Sequence, residues 1–110
     1  MSSFVTLREQ KAAERERRCQ GVEALKGELS AYARAHGGRF LLYGSAARGD
    51  MRHNSDVDIL LDFPKDATDD AWVFAEDACR RHRLSPDIRP RSWCGPAFLD
   101  HIDRDIQVVA

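Results

Sequence analysis

Two short polar motifs follow one another along the chain, each beside an apolar run. Gly44-Ser45 comes directly after the apolar residues 40–43, and Asp56-x-Asp58 begins a second run that extends to residue 61. Side chains alternate along a strand, so Asp56 and Asp58 are expected on one face with their Cα atoms about 6.6 Å apart. Mg2+ prefers oxygen ligands such as carboxylates, often together with substrate phosphates. The spacing therefore predicts a metal site at the head of a buried strand.

The Gly-Ser pair predicts a turn that holds phosphate. Gly44 lets the backbone approach a ligand closely, Ser45 offers a hydroxyl and an amide where a short helix begins, and Arg48 adds positive charge. A lone Gly-Ser is typical of a plain turn, and a lone Asp-x-Asp of a solvated strand edge. The two motifs at fixed spacing favour nucleotide binding, because each then has the structural context that the chemistry needs.

A long helix precedes the motifs. Residues 6–36 lack proline, and their apolar positions recur three and four apart, which predicts one buried helix face. These positions are Val22, Leu25, Leu29, Tyr32 and His36. Residues 8–18 are highly charged, so this part is either solvated or docks on a partner. Gly21 either divides two helices or weakens one, and both alternatives stay open. We expect residues 1–36 to form an N-terminal helical segment and residues 37–110 the core of a single domain.

Strands and helices alternate after this segment. Strands are predicted at residues 39–43, 56–63, 87–89 and 106–109, with helices from residue 69 or 70 to about 83 and at about 95–103. Asp69 or Asp70 is expected to cap the first of these helices. Its inner side is predicted to comprise Trp72, Val73, Ala75 or Glu76, and Cys79. This order of elements predicts a small α+β domain of α/β type with helices flanking the sheet.

The pattern GS-x10-DxD resembles the signature of the nucleotidyltransferases related to DNA polymerase beta. The resemblance covers about residues 39–110 and is strongest at residues 40–61. It implies a mixed sheet and transfer of a nucleotide from a nucleoside triphosphate with two Mg2+ ions. Within that superfamily the chain is similar to the minimal nucleotidyltransferases, which are often paired with HEPN-domain proteins in toxin–antitoxin modules. In such pairs the antitoxin transfers AMP from ATP to a tyrosine of the HEPN ribonuclease toxin. The resemblance therefore implies ATP as substrate and a HEPN toxin as partner.

The resemblance also implies a third carboxylate on a neighbouring strand, which binds metal and helps to deprotonate the acceptor hydroxyl. Asp62 shares the face of Asp58 but lies about 13 Å further along the strand, which is too far to bind the same metal. Asp87 lies in a separate short strand in which Ile88 faces inward. We favour Asp87, because its position after the intervening helix matches the order of the family. Asp105, at the start of the last strand, is the alternative.

The composition indicates which partners and which cellular compartment are favoured. The 110 residues carry a net charge of −1, which disfavours long nucleic acid as acceptor because backbone-tracking proteins usually carry a basic excess. Three cysteines without Cys-x-x-Cys spacing predict free thiols in a reducing cytoplasm. No apolar run approaches the length of a membrane span. Trp72, Trp93 and Phe98 are expected in the core or in a partner contact, and His53 in a solvated loop.

Two alternatives to protein adenylylation stay open. The first is transfer to a small molecule, as in aminoglycoside-modifying relatives, with a homodimer forming the acceptor cleft. The second is a binding module that masks a toxin by contact and keeps the motif only for nucleotide binding. Because no acceptor-binding domain follows the last predicted strand, we expect the acceptor to bring its own surface, which favours a protein.

Overall fold

A long N-terminal helix begins the computed structural model, which describes residues 6–110. Helix α1 spans Leu7–His36 without interruption, so Gly21 does not divide it. At its start the Thr6 hydroxyl accepts a hydrogen bond from the Glu9 amide (3.1 Å), and the Glu9 carboxylate accepts one from the Thr6 amide (3.3 Å). This reciprocal capping satisfies amides that a helix leaves unpaired. The helix ends at Gly37, whose φ of 72° is left-handed.

The remaining elements form a four-stranded mixed sheet with helices. The strands are β1 (Arg39–Tyr43), β2 (Val57–Asp62), β3 (Pro86–Pro90) and β4 (Gln107–Val109). The helices are α2 (Ser45–Arg48), α3 (Thr68–Arg81) and α4 (Pro96–Ile102), with short 3-10 turns at Lys65–Ala67, Arg91–Trp93 and Asp103–Asp105. The sheet order is β3-β2-β1-β4, in which only the β2–β3 pair is parallel. The α+β prediction is thus confirmed, whereas Asp56 precedes β2 rather than beginning it.

Alternation along β2 separates the core from the opposite face of the sheet. Val57, Ile59 and Leu61 are buried in the main core, which α1 and α3 cover. The large buried side chains of this core include Leu25, Leu29, Phe40, Leu42 and Met51. Leu60 points to the other face and belongs to a smaller cluster with Leu41, Tyr43 and Ile102, the last of these from α4. Asp58 lies beside this smaller cluster, so it is half-buried.

Helix α3 turns a narrower face to the core than its sequence predicts. The buried residues are Ala71, Ala75, Ala78 and Cys79. Trp72 is only half-buried and Val73 is 58% exposed, so the prediction of Val73 on the inner side is wrong. Alanines bring the helix close to the sheet and leave larger side chains at the flanks. The helix also begins after Ala67, so Asp69 and Asp70 lie in its first turn and do not cap it.

The charged half of α1 contacts two loops of the domain. Arg17 donates hydrogen bonds to the carbonyl oxygens of His82 and Arg83, each at 3.0 Å, and Arg18 donates one to the Ser55 carbonyl oxygen at 2.6 Å. The first two carbonyls follow the end of α3, where a helix leaves acceptors unpaired. The predicted buried face of α1 is correct at Val22, Leu25 and Leu29 but wrong at His36, which is exposed. Among residues 6–110, no helix has the length and apolarity to cross a membrane.

Candidate active site

The site begins with two carboxylates that the sheet places side by side. The parallel pairing of β2 and β3 puts Asp58 in register with Asp87 and Ile59 in register with Ile88. Both isoleucines face the main core, so both carboxylates project from the opposite face. Adjacent strands lie about 4.8 Å apart, which brings the two side chains within reach of one ligand.

Asp58 is held in an environment that disfavours its negative charge. Burial raises its pKa above the ordinary value, and the neighbouring charges of Asp87 and Asp56 raise it further. Arg89 and Arg48 partly oppose this effect. A half-buried carboxylate surrounded by like charges is stabilised by a cation, and perturbed groups of this kind concentrate at functional sites.

Gly44 connects the phosphate-type turn to these carboxylates. Its backbone has φ 68° and ψ −148°, a conformation that residues other than glycine rarely adopt. A Cβ atom built on Gly44 would lie 2.7 Å from Oδ2 of Asp58. The absence of a side chain therefore lets the Asp58 carboxylate lie directly against the backbone at the start of α2.

Ser45 begins α2 as predicted, but its hydroxyl is turned inward. The Oγ atom donates to Sδ of Met51 at 3.4 Å, and Met51 is almost fully buried. The Ser45 carbonyl oxygen accepts hydrogen bonds from the amides of Gly49 (3.0 Å) and Asp50 (3.1 Å). Met51 therefore anchors the polar loop, a role that its place between polar residues did not reveal. Phosphate binding by the Ser45 hydroxyl stays a prediction and requires rotation of its side chain.

Arg48 ties the loop to the segment before β4. Its guanidinium donates to Asp50 at 3.2 Å and to Asp105 at 2.9 Å. Asp105 is therefore engaged with Arg48, whereas Asp87 stands next to Asp58. Of the two candidates for a third carboxylate, the geometry favours Asp87, and its role as metal ligand stays a prediction.

Two residues at the site were not anticipated. Arg89 approaches Asp87 at 3.4 Å and lies over the ring of Phe98, with 5.5 Å between the guanidinium carbon and the ring centre. Tyr43 is in register with Asp58, and burial, followed by the charge of Asp58, raises the pKa of its hydroxyl to about 12. Strand alternation was the available signal, because Arg89 follows Asp87 by two residues and so shares its face.

A small cleft borders Asp87 at β3, the edge strand of the sheet. It has a volume of about 370 Å³ and is lined by Trp72, Glu76, Pro86 and Ile88 as well as Asp87. The Trp72 ring meets the Trp93 ring at an angle of 62°, with 5.5 Å between their centres. Trp93 is 70% exposed. The carboxylate edge of the site is thus bordered by aromatic surface.

The donor chemistry suits a hard divalent cation. Asp56, Asp58 and Asp87 supply carboxylate oxygens, the ligands that Mg2+ prefers. Within residues 6–110, however, no three acidic, imidazole or thiol side chains are arranged closely enough to chelate an ion. Asp87 is turned toward Arg89, and Asp56 is exposed. Metal binding therefore requires these two side chains to turn toward Asp58.

Residues 22–100 match the family described as nucleotidyltransferase domain. The chain belongs to this family. The matched residues include both motifs and Asp87 and exclude Asp105. The mixed sheet with its long N-terminal helix is consistent with the polymerase beta-like nucleotidyltransferase fold. No curated protein matches the chain.

Substitution of Gly44 by alanine is expected to damage the nucleotidyltransferase site directly. The Gly44→Ala variant should lose about 1–3 kcal/mol of unfolding free energy through backbone strain. With MgATP as the probe of the site, the melting temperature of the variant should rise less than that of the wild type, because the new Cβ displaces the Asp58 carboxylate. Urea unfolding and thermal melting with and without MgATP measure the two effects.

Gly49→Ala is the matched control for this prediction. Gly49 has φ 78°, but a Cβ there meets no atom within 4 Å. The Gly49→Ala variant should also be strained, though less than Gly44→Ala because its ψ of 17° is left-handed helical, and it should keep the response to MgATP. Equal loss of that response in both variants would show that strain alone, without displacement of Asp58, explains the result.

Asp58→Asn is expected to stabilise the nucleotidyltransferase when no metal is present. The raised pKa means that the folded state retains the proton of Asp58 more strongly than the unfolded chain does. The charge of Asp58 therefore reduces stability as pH rises from the ordinary value of 3.8 through the raised folded pKa. At pH 7 with a chelator, the melting temperature of Asp58→Asn should exceed that of the wild type.

The gain should shrink toward pH 4, where the Asp58 carboxyl of the wild type is increasingly protonated. Asp62→Asn is the control, because Asp62 lies on the same strand and pairs with Arg39 at 2.6 Å. It should show no gain at pH 7. A lower melting temperature for Asp58→Asn at pH 7 would contradict the assigned environment.

Proposed function

We propose that this nucleotidyltransferase is a Mg2+-dependent adenylyltransferase that modifies a partner protein. It transfers AMP from ATP to a tyrosine hydroxyl of a HEPN ribonuclease toxin and so acts as the antitoxin. The observation that carries the proposal is the register of Asp58 with Asp87, with the Gly44 backbone directly against Asp58. The choice of ATP and of a HEPN partner is supported by the resemblance of the GS-x10-DxD pattern to minimal nucleotidyltransferases.

The carboxylates and the turn have separate tasks in this reaction. Asp56, Asp58 and Asp87 would hold two magnesium ions, which when bound supply the positive charge that an in-line displacement on a triphosphate needs. Gly44 lets the Asp58 carboxylate lie against the backbone of the turn at which the triphosphate would bind, and Ser45 lies at the start of the same turn. Arg48, held by Asp50 and Asp105, keeps its guanidinium beside this turn.

Asp87 is the proposed proton acceptor. It takes the proton of the acceptor hydroxyl, whose oxygen bonds to the α-phosphorus of ATP while the bond to the β-phosphate oxygen breaks. AMP is then attached to the acceptor, and pyrophosphate leaves with the electron pair of the broken bond. Asp87 is suited to this task because it is in register with Asp58 and also lines an open cleft that could admit the acceptor.

The surroundings of Asp87 support an aromatic acceptor. Its cleft is bordered by Trp72, and Trp93 next to it exposes most of its indole ring. Large aromatic side chains contribute strongly to protein interfaces, and ring edges and faces attract one another. A tyrosine from a partner protein can contact these rings while its hydroxyl approaches Asp87.

The free state of Cys19, Cys79 and Cys94 supports a place in the reducing cytoplasm.

Intact-mass spectrometry of a co-expressed HEPN ribonuclease tests the proposed function. Incubation with this protein and MgATP should add one or more AMP masses to the ribonuclease, and GTP, CTP and UTP should add little. The Asp56→Asn/Asp58→Asn variant should add none, because it lacks both proposed metal-binding carboxylates, the one in β2 and the one just before it. Asp62→Asn, which keeps them, should label like the wild type.

Three results would overturn the assignment in different ways. Labelling that survives the double substitution would show that Asp56 and Asp58 do not hold the catalytic metals. Ribonuclease inhibition without any mass change, persisting in the double variant, would point to masking by contact. Labelling of a small hydroxyl compound in place of the ribonuclease would point to a small-molecule transferase.

Trp93→Ala is expected to weaken recognition of the acceptor without unfolding the protein. Because Trp93 is 70% exposed, its loss should change stability by no more than about 0.5 kcal/mol. The KM for the protein acceptor should rise about tenfold, with the KM for ATP unchanged. Val108→Ala, which removes a 52% exposed side chain on the opposite edge strand, should change neither constant. Equal effects of the two variants would remove Trp93 from the acceptor surface.

A further inference from the structure

A basic groove lies between the start of α1 and the loop that leads to Asp56. It has a volume of about 480 Å³. Arg8, Lys11 and Arg15 line it from α1, and Arg52 and His53 line it from the loop. The three helix positions are three and four residues apart, so their side chains share one face of α1. We call this feature the basic groove.

The basic side chains of α1 in the groove are not neutralised within the described part of the chain. The acids of the same helix segment are engaged elsewhere. Glu9 accepts a hydrogen bond from the Thr6 amide, Glu14 pairs with Arg17 and Arg18, and Glu16 accepts a hydrogen bond from Gln20. No ion pair joins a described acid to Arg8, Lys11, Arg15 or Arg52, and no described acid lines the groove. Like charges that converge from two elements are relieved by a bound anion.

The groove is connected to the proposed active site through a short, well-anchored turn. The Arg52 amide donates to Oγ of Ser55 at 2.9 Å, and the Ser55 amide donates back to the Arg52 carbonyl oxygen at 3.2 Å. Arg18 holds the Ser55 carbonyl oxygen at 2.6 Å, and Asp56 follows directly. Leu7 precedes Arg18 by eleven residues, so α1 extends about 16 Å beyond this contact at 1.5 Å per residue. The segment is exposed along almost its whole length.

We infer that the basic groove binds an acidic segment of the protein acceptor and so aligns that acceptor with the carboxylate site. This inference rests on the proposed function for the identity of the acceptor. The groove itself argues for an acidic polypeptide, because its cationic side chains are interleaved with apolar ones. Leu7 is 65% exposed, and Ala12 lies between Lys11 and Arg15 on the same lining. One extended segment that carries both carboxylates and apolar side chains can contact the cationic and the apolar residues of the groove.

Nucleic acid is a poorer match to this surface. Proteins that bind single strands stack bases on aromatic side chains, and among the residues described here only the His53 imidazole contributes a ring to the groove. The net charge of −1 also lacks the basic excess typical of backbone binding. A free triphosphate would satisfy the charges but not the exposed leucine.

Fluorescence anisotropy with a labelled octapeptide of alternating glutamate and leucine tests the inference on the full chain. The Lys11→Ala/Arg15→Ala variant should bind this peptide between about threefold and thirtyfold more weakly than the wild type, because two exposed ion pairs are lost. Alanine favours helix, so α1 should persist, which circular dichroism checks. Arg34→Ala/Lys65→Ala also removes two positive charges outside the groove and should bind the peptide like the wild type.

Competitors identify the occupant. Octauridylate and inorganic tripolyphosphate should displace the peptide poorly. Equal loss of peptide binding in both double variants, or no loss in either, would overturn the groove as the binding surface. Displacement of the peptide by octauridylate or by tripolyphosphate at lower concentration than by unlabelled peptide would overturn the acidic polypeptide as occupant.

A second readout separates this inference from the proposed function. In the AMP-transfer assay, Lys11→Ala/Arg15→Ala should raise the KM for the protein acceptor and leave the KM for ATP and kcat unchanged. An increased KM for ATP would overturn the inference in favour of a triphosphate site. If the wild type transfers no AMP but binds the peptide through Lys11 and Arg15, the proposed function fails while the groove assignment stands.

Discussion

The candidate site depends on the parallel pairing of β2 with β3, because that register alone places Asp58 beside Asp87. The same register places Ile59 beside Ile88 in the main core. A shift by one residue would bury Asp87 and expose Ile88, since side chains alternate with a period of two. Burial of the isoleucines therefore specifies the position of the carboxylates. The amide of Val57, the first residue of β2, donates a hydrogen bond to the carbonyl oxygen of Ser85 just before β3 (2.8 Å), which extends this pairing by one residue.

Helix α1 also helps to position the site, since one of its turns binds the loops that precede β2 and β3. Arg18 binds the Ser55 carbonyl oxygen before β2, and Arg17 binds the carbonyl oxygens of the turn before β3. That turn includes Arg83, whose φ of 53° is unusual for a residue with a side chain. Charged hydrogen bonds to backbone are among the stronger ones, so a strained turn persists where they are made. The charged segment of α1 is thus partly structural, and its exposed first turns remain for the basic groove.

The sequence predicted the helices and strands well, because hydrophobic periodicity, glycine and proline are local signals. It predicted less where tertiary packing decides. The sequence predicts Val73 on the core-facing side of α3, but the alanines of that helix pack closest to the sheet and leave Val73 exposed. Arg89 was missed because its importance comes from the neighbouring strand and from Phe98, not from a motif. The preference for Asp87 over Asp105 came from the order of the family, and the ion pair of Arg48 with Asp105 adds a reason that the sequence could not show, because it joins residues far apart in the chain.

The electrostatics of the site bear on the form in which a nucleotide can bind. Asp58 is half-buried, and the charges of Asp87 and Asp56 disfavour its ionisation. The two nearby arginines do not cancel this, since Arg48 is engaged by Asp50 and Asp105 and Arg89 by Asp87. A free ATP triphosphate would bring further negative charge into partly desolvated surroundings, where repulsion between charges is strong. These electrostatics favour nucleotide binding together with a divalent cation over binding of the free triphosphate, and they agree with the proposed role of the carboxylates as metal ligands.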